Sequence, residues 1–130
     1  FLKLDKYFKN WIIDDFVFDP YGYSLNAING SNYFTIHVTP QEEASYASFE
    51  TNIKLWDEHK NFGTLLLQSF SPGSFDMVSF NDYLPEKPFK NTIPIKVVKE
   101  KLSCGYNVQF KQYIKNDVLE ENAILLKDRK

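Results

Sequence analysis

The sequence predicts an α+β fold, an antiparallel sheet with helix packed on one face. Three observations carry that prediction. Aromatic residues make up 17% of the chain, and Phe (12) and Tyr (8) supply nearly all of them. Such side chains suit the pleated, half-buried surface of a strand. Period-two alternation recurs, as where Phe34, Ile36 and Val38 interleave with Thr35, His37 and Thr39. One stretch, from Leu55 to Phe70, instead spaces Leu55, Phe62, Leu65, Leu66 and Ser69 roughly as a helix does.

Taken in order, Trp11 to Phe18 is aromatic and β-branched and reads as a strand stopped by Asp19-Pro20. Residues 23–28 and 33–39 are strands joined by Asn29-Gly30-Ser31-Asn32, a strong turn signal. Ala44 to Thr51 is a fourth strand, after the break at Thr39-Pro40-Gln41. The helix follows; Gly63 weakens it and Ser71-Pro72-Gly73 ends it. Phe75 to Phe80 is a short strand, and Asn81 to Asn91, with two prolines, is a loop. Ile93 to Val98 and Tyr106 to Ile114 are further strands, and Asn116 to Lys127 reads as a helix or frayed tail. A helix crossing between antiparallel strands covers one sheet face. The other face must then be buried by something else or be functional.

The length of 130 residues fits one domain, or a fragment of one, spanning residues 1–130. The net charge of -2, without a Lys/Arg cluster, gives no electrostatic case for nucleic acid. No apolar run approaches the roughly 20 residues that span a bilayer. A single cysteine, Cys104, excludes an internal disulfide and fits a reducing compartment such as the cytoplasm. His37, His59 and Cys104 are too far apart to suggest a metal site. The chain opens on Phe1-Leu2-Lys3, without Met or a signal pattern, and so reads as a piece of something longer.

The hairpin yields a specific pairing. With a two-residue loop at Gly30-Ser31, or with residues 29–32 as a four-residue loop, Ile28 faces Tyr33, Asn26 faces Thr35 and Ser24 faces His37. Directly opposed residues share a face with Cβ atoms about 4.5–5.5 Å apart. Ser24 and His37 then lie within hydrogen-bonding reach beside Asn26, Thr35 and Thr39, while Leu25, Phe34, Ile36 and Val38 face the core. A three-residue loop would send Ser24 and His37 to opposite faces. On the residues alone, such a pair is either a proton-transfer unit or a cross-strand hydrogen bond on a solvated face. No triad acid accompanies it and no Gly-x-Ser-x-Gly elbow occurs, which argues against serine-hydrolase chemistry. His59 and the pairs Asp14-Asp15, Glu42-Glu43 and Glu120-Glu121 read as solvated charge. Glu50 lies in an apolar strand, so it either points outward or is buried with a partner.

Three segments carry a family resemblance: Phe18-Asp19-Pro20-Tyr21-Gly22-Tyr23-Ser24-Leu25-Asn26, Tyr33-Phe34-Thr35-Ile36-His37-Val38-Thr39-Pro40 and Ser45-Tyr46-Ala47-Ser48-Phe49-Glu50-Thr51-Asn52. They closely resemble the eukaryotic S-adenosylmethionine decarboxylase family. The likeness runs from about residue 12 to 80, through Ser71-Pro72-Gly73-Ser74-Phe75, and is faint beyond. It implies a pyruvoyl-dependent lyase of spermidine synthesis, made from a proenzyme that cleaves itself at an internal serine. The ketone so formed takes the substrate amine as a Schiff base and serves as electron sink for loss of CO2. The implied fold is a four-layer αββα sandwich, to which this chain contributes the C-terminal part.

By the same resemblance, Ser24 and His37 match the serine and histidine that assist self-processing. Phe18 matches the aromatic that stacks on adenine, a contact worth on the order of 1 kcal/mol. Glu50 matches an acidic residue of a buried charged region that in some members responds to putrescine. Two positions depart from the family. Tyr21 stands where cysteine is usual, and Gln41 stands where a glutamate binds the ribose hydroxyls. Gln41 can still accept a hydrogen bond, without charge assistance. No Glu-Ser processing site occurs in these 130 residues, so the chain is expected to be inactive alone and completed by the rest of its protein. The alternative is a catalytically dead homologue that binds and activates a decarboxylase; Tyr21 and Gln41 favour it, while Ser24, His37 and Phe18 oppose it.

Overall fold

The computed structural model describes residues 7–56 and 62–116. They fall into two compact units, divided between Lys54 and Leu55. The first is a four-stranded antiparallel meander of β1 (Ile12–Val17), β2 (Tyr23–Asn29), β3 (Asn32–Thr39) and β4 (Tyr46–Thr51), in that order. The predicted strands are all present. The β2–β3 turn is the two-residue form, with Asn29 paired to Asn32 and Gly30 at φ 60°. A positive φ at the first turn position but not at Ser31 matches a type II′ turn, whose twist suits a hairpin. Leu25, Ala27, Phe34 and Ile36 are all buried on one face. Burial of each large side chain contributes about 1.5–3 kcal/mol. Phe34, with no exposed surface, lies between Phe8 at 5.1 Å and Phe49 at 6.3 Å between ring centroids.

The second unit contains helix α1 (Phe62–Phe70) and strands β5 (Ser74–Phe80), β6 (Thr92–Lys101) and β7 (Asn107–Lys115), ordered β5-β7-β6. The strands thus divide between two sheets, a partition that alternation does not encode. Pro94 lies in edge strand β6, beside an irregularity in register, where its missing N–H is tolerated. The helix is shorter than its spacing suggests, since Leu55 and Trp56 are irregular. Its buried stripe is Phe62, Gly63, Leu66 and Leu67, and Ser69 is exposed. Gly63 has a positive use: a Cβ there would collide with the Trp56 ring. Glycine admits the indole against the first helical turn, at the known cost in helix propensity. The helix ends as predicted, with Ser71 at φ 44° ahead of Pro72. Lys115 of β7 donates from Nζ to the Ser71 carbonyl at 3.0 Å and to its Oγ at 2.8 Å. That supplies the cation the last turn itself lacks.

Alternate residues of β7 grip the 81–91 loop. Gln109 accepts from the Leu84 N–H at 3.2 Å, and the Tyr113 hydroxyl donates to the Pro85 carbonyl at 2.7 Å. Lys111, 2% exposed, donates to the Leu84 carbonyl at 3.1 Å and to Glu86 Oε1 at 2.7 Å. The hydrogen bond from Lys111 and its charge hold the Glu86 carboxyl below its usual range. Tyr113 stacks on Phe75 at 4.9 Å, and burial pushes its phenol up to about 12, helped by Glu86 and Tyr83. His59 and residues 117–127 of the predicted C-terminal helix lie outside the described residues.

Candidate functional site

Ser24 and His37 pair directly across β2 and β3, as the turn arithmetic requires. Ser24 Oγ and His37 Nδ1 are hydrogen-bonded at 3.1 Å on an open face. With Nδ1 unprotonated the hydroxyl donates; on a protonated ring Nδ1–H donates and Oγ accepts. The arrangement can therefore pass or hold a proton without moving either backbone. Its register extends across the whole sheet: Phe16 opposes Ser24 on β1, and Ser48 opposes His37 on β4. Phe16, Ser24, His37 and Ser48 form one row on one face.

Phe18, Tyr21 and Gln41 lie in the connections at one end of the sheet, next to this row. Phe18 is half exposed and meets Phe16 edge to face, with centroids 4.8 Å apart. Its N–H donates to the Gly22 carbonyl at 3.0 Å, closing a loop over Asp19-Pro20-Tyr21. Gly22 has φ 145°, and a Cβ there would press on the Phe18 ring at 3.3 Å. Glycine thus serves both the backbone and the seating of the aromatic. Tyr21 and Gln41 are exposed.

Glu50 resolves to the outward alternative. It is exposed, opposes Thr35 and accepts a hydrogen bond from the Tyr33 hydroxyl at 3.0 Å. That bond to a carboxylate holds the Tyr33 phenol above its usual value. Glu50 lies one same-face step from the Ser24–His37 row, roughly 7 Å along the strand, and does not touch the pair. At the β1 edge, burial together with a hydrogen bond to Asp15 at 3.1 Å raises the Tyr23 phenol.

Sequence reasoning missed Phe16, Tyr33 and Ser48. Alternation could have placed Ser48 on the polar face, between Tyr46 and Glu50. Its partner could not be read, because the connection from Pro40 to Ser45 has no defined turn chemistry. Among the described residues no cluster of three His, Cys, Asp or Glu could hold a metal ion. No helix among them is long and apolar enough to cross a membrane.

The profile of the adenosylmethionine decarboxylase family matches residues 2–125. The chain belongs to that family. The match reaches well beyond residue 80, where motifs give way to plain strand alternation that carries little recognisable signature. An S-adenosylmethionine decarboxylase proenzyme of Drosophila melanogaster is 46% identical over 69 residues, covering 52% of this chain and 20% of that protein. That of Dictyostelium discoideum is 33% identical over 110 residues, covering 81% of this chain and 29% of that protein. The solved Trypanosoma brucei AdoMetDC-delta26 monomer aligns with a TM-score of 0.74 at 29% identity, over 87% of this chain and 50% of that one. The chain thus spans 20% to 29% of the length of these two decarboxylase proenzymes.

Proposed function

We propose that this chain is the C-terminal part of an S-adenosylmethionine decarboxylase of spermidine synthesis, inactive until joined by the rest of its protein. The observation that carries the reading is the 3.1 Å Ser24–His37 hydrogen bond on an open sheet face, within the family's motifs. In a self-processing proenzyme His37 accepts and returns a proton at Nδ1 while Ser24 holds the imidazole at the correct height over the sheet. A hydroxyl and an imidazole already in contact are the donor set such processing needs. A pyruvoyl group, generated from a serine outside these 130 residues, supplies the electron sink for loss of CO2.

The pocket residues follow from the same end of the sheet. Phe18 offers its exposed ring to the adenine of S-adenosylmethionine, braced by Phe16. Gln41 accepts from a ribose hydroxyl through its amide oxygen, without the strength a carboxylate would add. Glu50, held by Tyr33, belongs to a charged network open to a diamine such as putrescine. The remaining partner is the other part of the decarboxylase, which completes a four-layer αββα sandwich in the cytoplasm.

The experiment is intact-mass analysis of the full-length protein, with release of labelled CO2 from carboxyl-labelled S-adenosylmethionine. A cleaved product with a pyruvoyl-blocked chain, together with decarboxylation, is expected. An uncleaved chain that releases no CO2 overturns the enzyme reading and favours a regulatory homologue.

A further inference from the structure

Three strands bring one imidazole between two hydroxyls. His37 sits on β3, with Ser24 directly opposite on β2 and Ser48 directly opposite on β4. All three share one face, and opposed Cβ atoms of such pairs lie about 4.5–5.5 Å apart. The two serines are not equally engaged. Ser24 holds Nδ1 at 3.1 Å, whereas the half-buried Ser48 hydroxyl has no hydrogen-bond partner among the described residues.

The geometry of the ring makes this asymmetry meaningful. Nδ1 and Cδ2 are both bonded to Cγ and lie on opposite edges of the imidazole. With Nδ1 toward Ser24, the Cδ2–H edge faces β4. A half-turn about the Cβ–Cγ bond exchanges the two edges, presenting Nδ1 to Ser48 and the Cδ2–Nε2 edge to Ser24. One hydrogen bond breaks and one forms, with the backbone fixed. Torsions of this sp³–sp² kind are broad and roughly two-fold, so both orientations are accessible without strain.

We infer that Ser48 is a positioning residue for His37, a second seat for Nδ1 when the imidazole turns away from Ser24. The inference rests on the processing role proposed for His37 and deepens it. While Nδ1 is seated on Ser48, the Ser24 hydroxyl is free to bond the backbone being cleaved, and the ring stays over the sheet. With alanine at 48, Nδ1 of the turned ring loses its serine partner, and Ser24 is the one serine left to seat Nδ1.

The test uses the full-length protein with Ser48→Ala and Ser48→Thr. Self-cleavage, followed by the appearance of the two chains on gels and by mass, should slow about threefold to tenfold in Ser48→Ala, the effect of one lost neutral hydrogen bond. Ser48→Thr keeps a hydroxyl on a strand-favouring residue and should restore the rate. A purely structural role would not be rescued by the hydroxyl in this way. The second readout is the ¹⁵N spectrum of the His37 ring in the purified full-length protein, assigned by its loss in His37→Gln. Wild type should show exchange between two Nδ1 environments that Ser48→Ala reduces to one. Equal rates in wild type and Ser48→Ala, or a Ser48→Thr variant as slow as Ser48→Ala, overturns the inference, as does a ring spectrum indifferent to residue 48. If the wild type never cleaves, the processing reading fails, and the ring spectrum still decides whether Ser48 seats His37.

Discussion

In the β1–β4 sheet, the polar residues of the central strands lie on an open face and bond to one another, as Ser24 does to His37. In the three-stranded sheet, the central strand buries Lys111 and Tyr113 and bonds them to a loop backbone. The difference is one of what depends on each group. An exposed hydrogen bond exchanges freely with water and adds little to stability, so its residues can be selected for reactivity. A buried ammonium or phenol must be satisfied, because leaving it unpaired costs more than the bond itself contributes. The first sheet therefore offers chemistry on a scaffold that does not require it. The second uses polar groups to hold a loop in place.

The sharpest way to break that comparison is His37→Ala in the full-length protein. Self-cleavage should fall by about 10²–10⁴-fold, the usual contribution of a positioned acid–base group. The thermal midpoint should hardly move, since exposed substitutions usually stay within about 0.5 kcal/mol. Unimpaired cleavage would remove His37 from the role; a large loss of stability would erase the distinction between the sheets. Gly63→Ala should do the reverse. Forcing a methyl into the Trp56 ring should cost about 1–3 kcal/mol in urea unfolding, with the cleavage rate of the folded fraction unchanged. An unchanged midpoint would mean that the indole is not needed there.

Tyr113→Phe is a smaller change with a distinctive pH signature. Losing the bond to the Pro85 carbonyl should cost about 1 kcal/mol at neutral pH. In wild type the folded phenol stays protonated up to about 12, whereas the unfolded phenol ionises near 10. The folded state thus holds the extra proton between those values, and stability falls as pH rises through that window. Below it Tyr113 contributes no pH dependence. Denaturation midpoints of wild type and variant at pH 8 and pH 11 should converge at the higher pH. A constant difference between them would contradict the burial of the phenol.

The two regions also differed in how far they could be read beforehand. The hairpin was legible because Asn29-Gly30-Ser31-Asn32 sets both the turn and its length, and length alone fixes which side chains oppose. Across the β3–β4 connection no such rule applies, so Ser48 could be given a face but not a partner. In β7 the apolar residues do not mark the buried face: Val108, Phe110 and Ile114 are only half-buried, while Lys111 and Tyr113 are inside. Their satisfaction depends on carbonyls of Leu84 and Pro85, 27 and 28 residues away along the chain. No local pattern encodes that. Gly63 was only half legible for a related reason, since its use is visible only once the Trp56 ring is in place.

The Gly30-Ser31 turn also limits how this chain can change from one generation to the next. Surface turns are ordinarily where lineages gain and lose residues most freely. This one lies about six residues, or roughly 20 Å, from Ser24 and His37, yet its length decides whether they meet. A lineage that gained one residue here and re-paired its strands would set the two on opposite faces, with every neighbouring side chain carried along. A gain of two, taken up entirely in the loop, would leave the pair intact. Descendants that keep this chemistry should therefore vary in the letters of the turn, and in loop length only by steps that preserve the pairing.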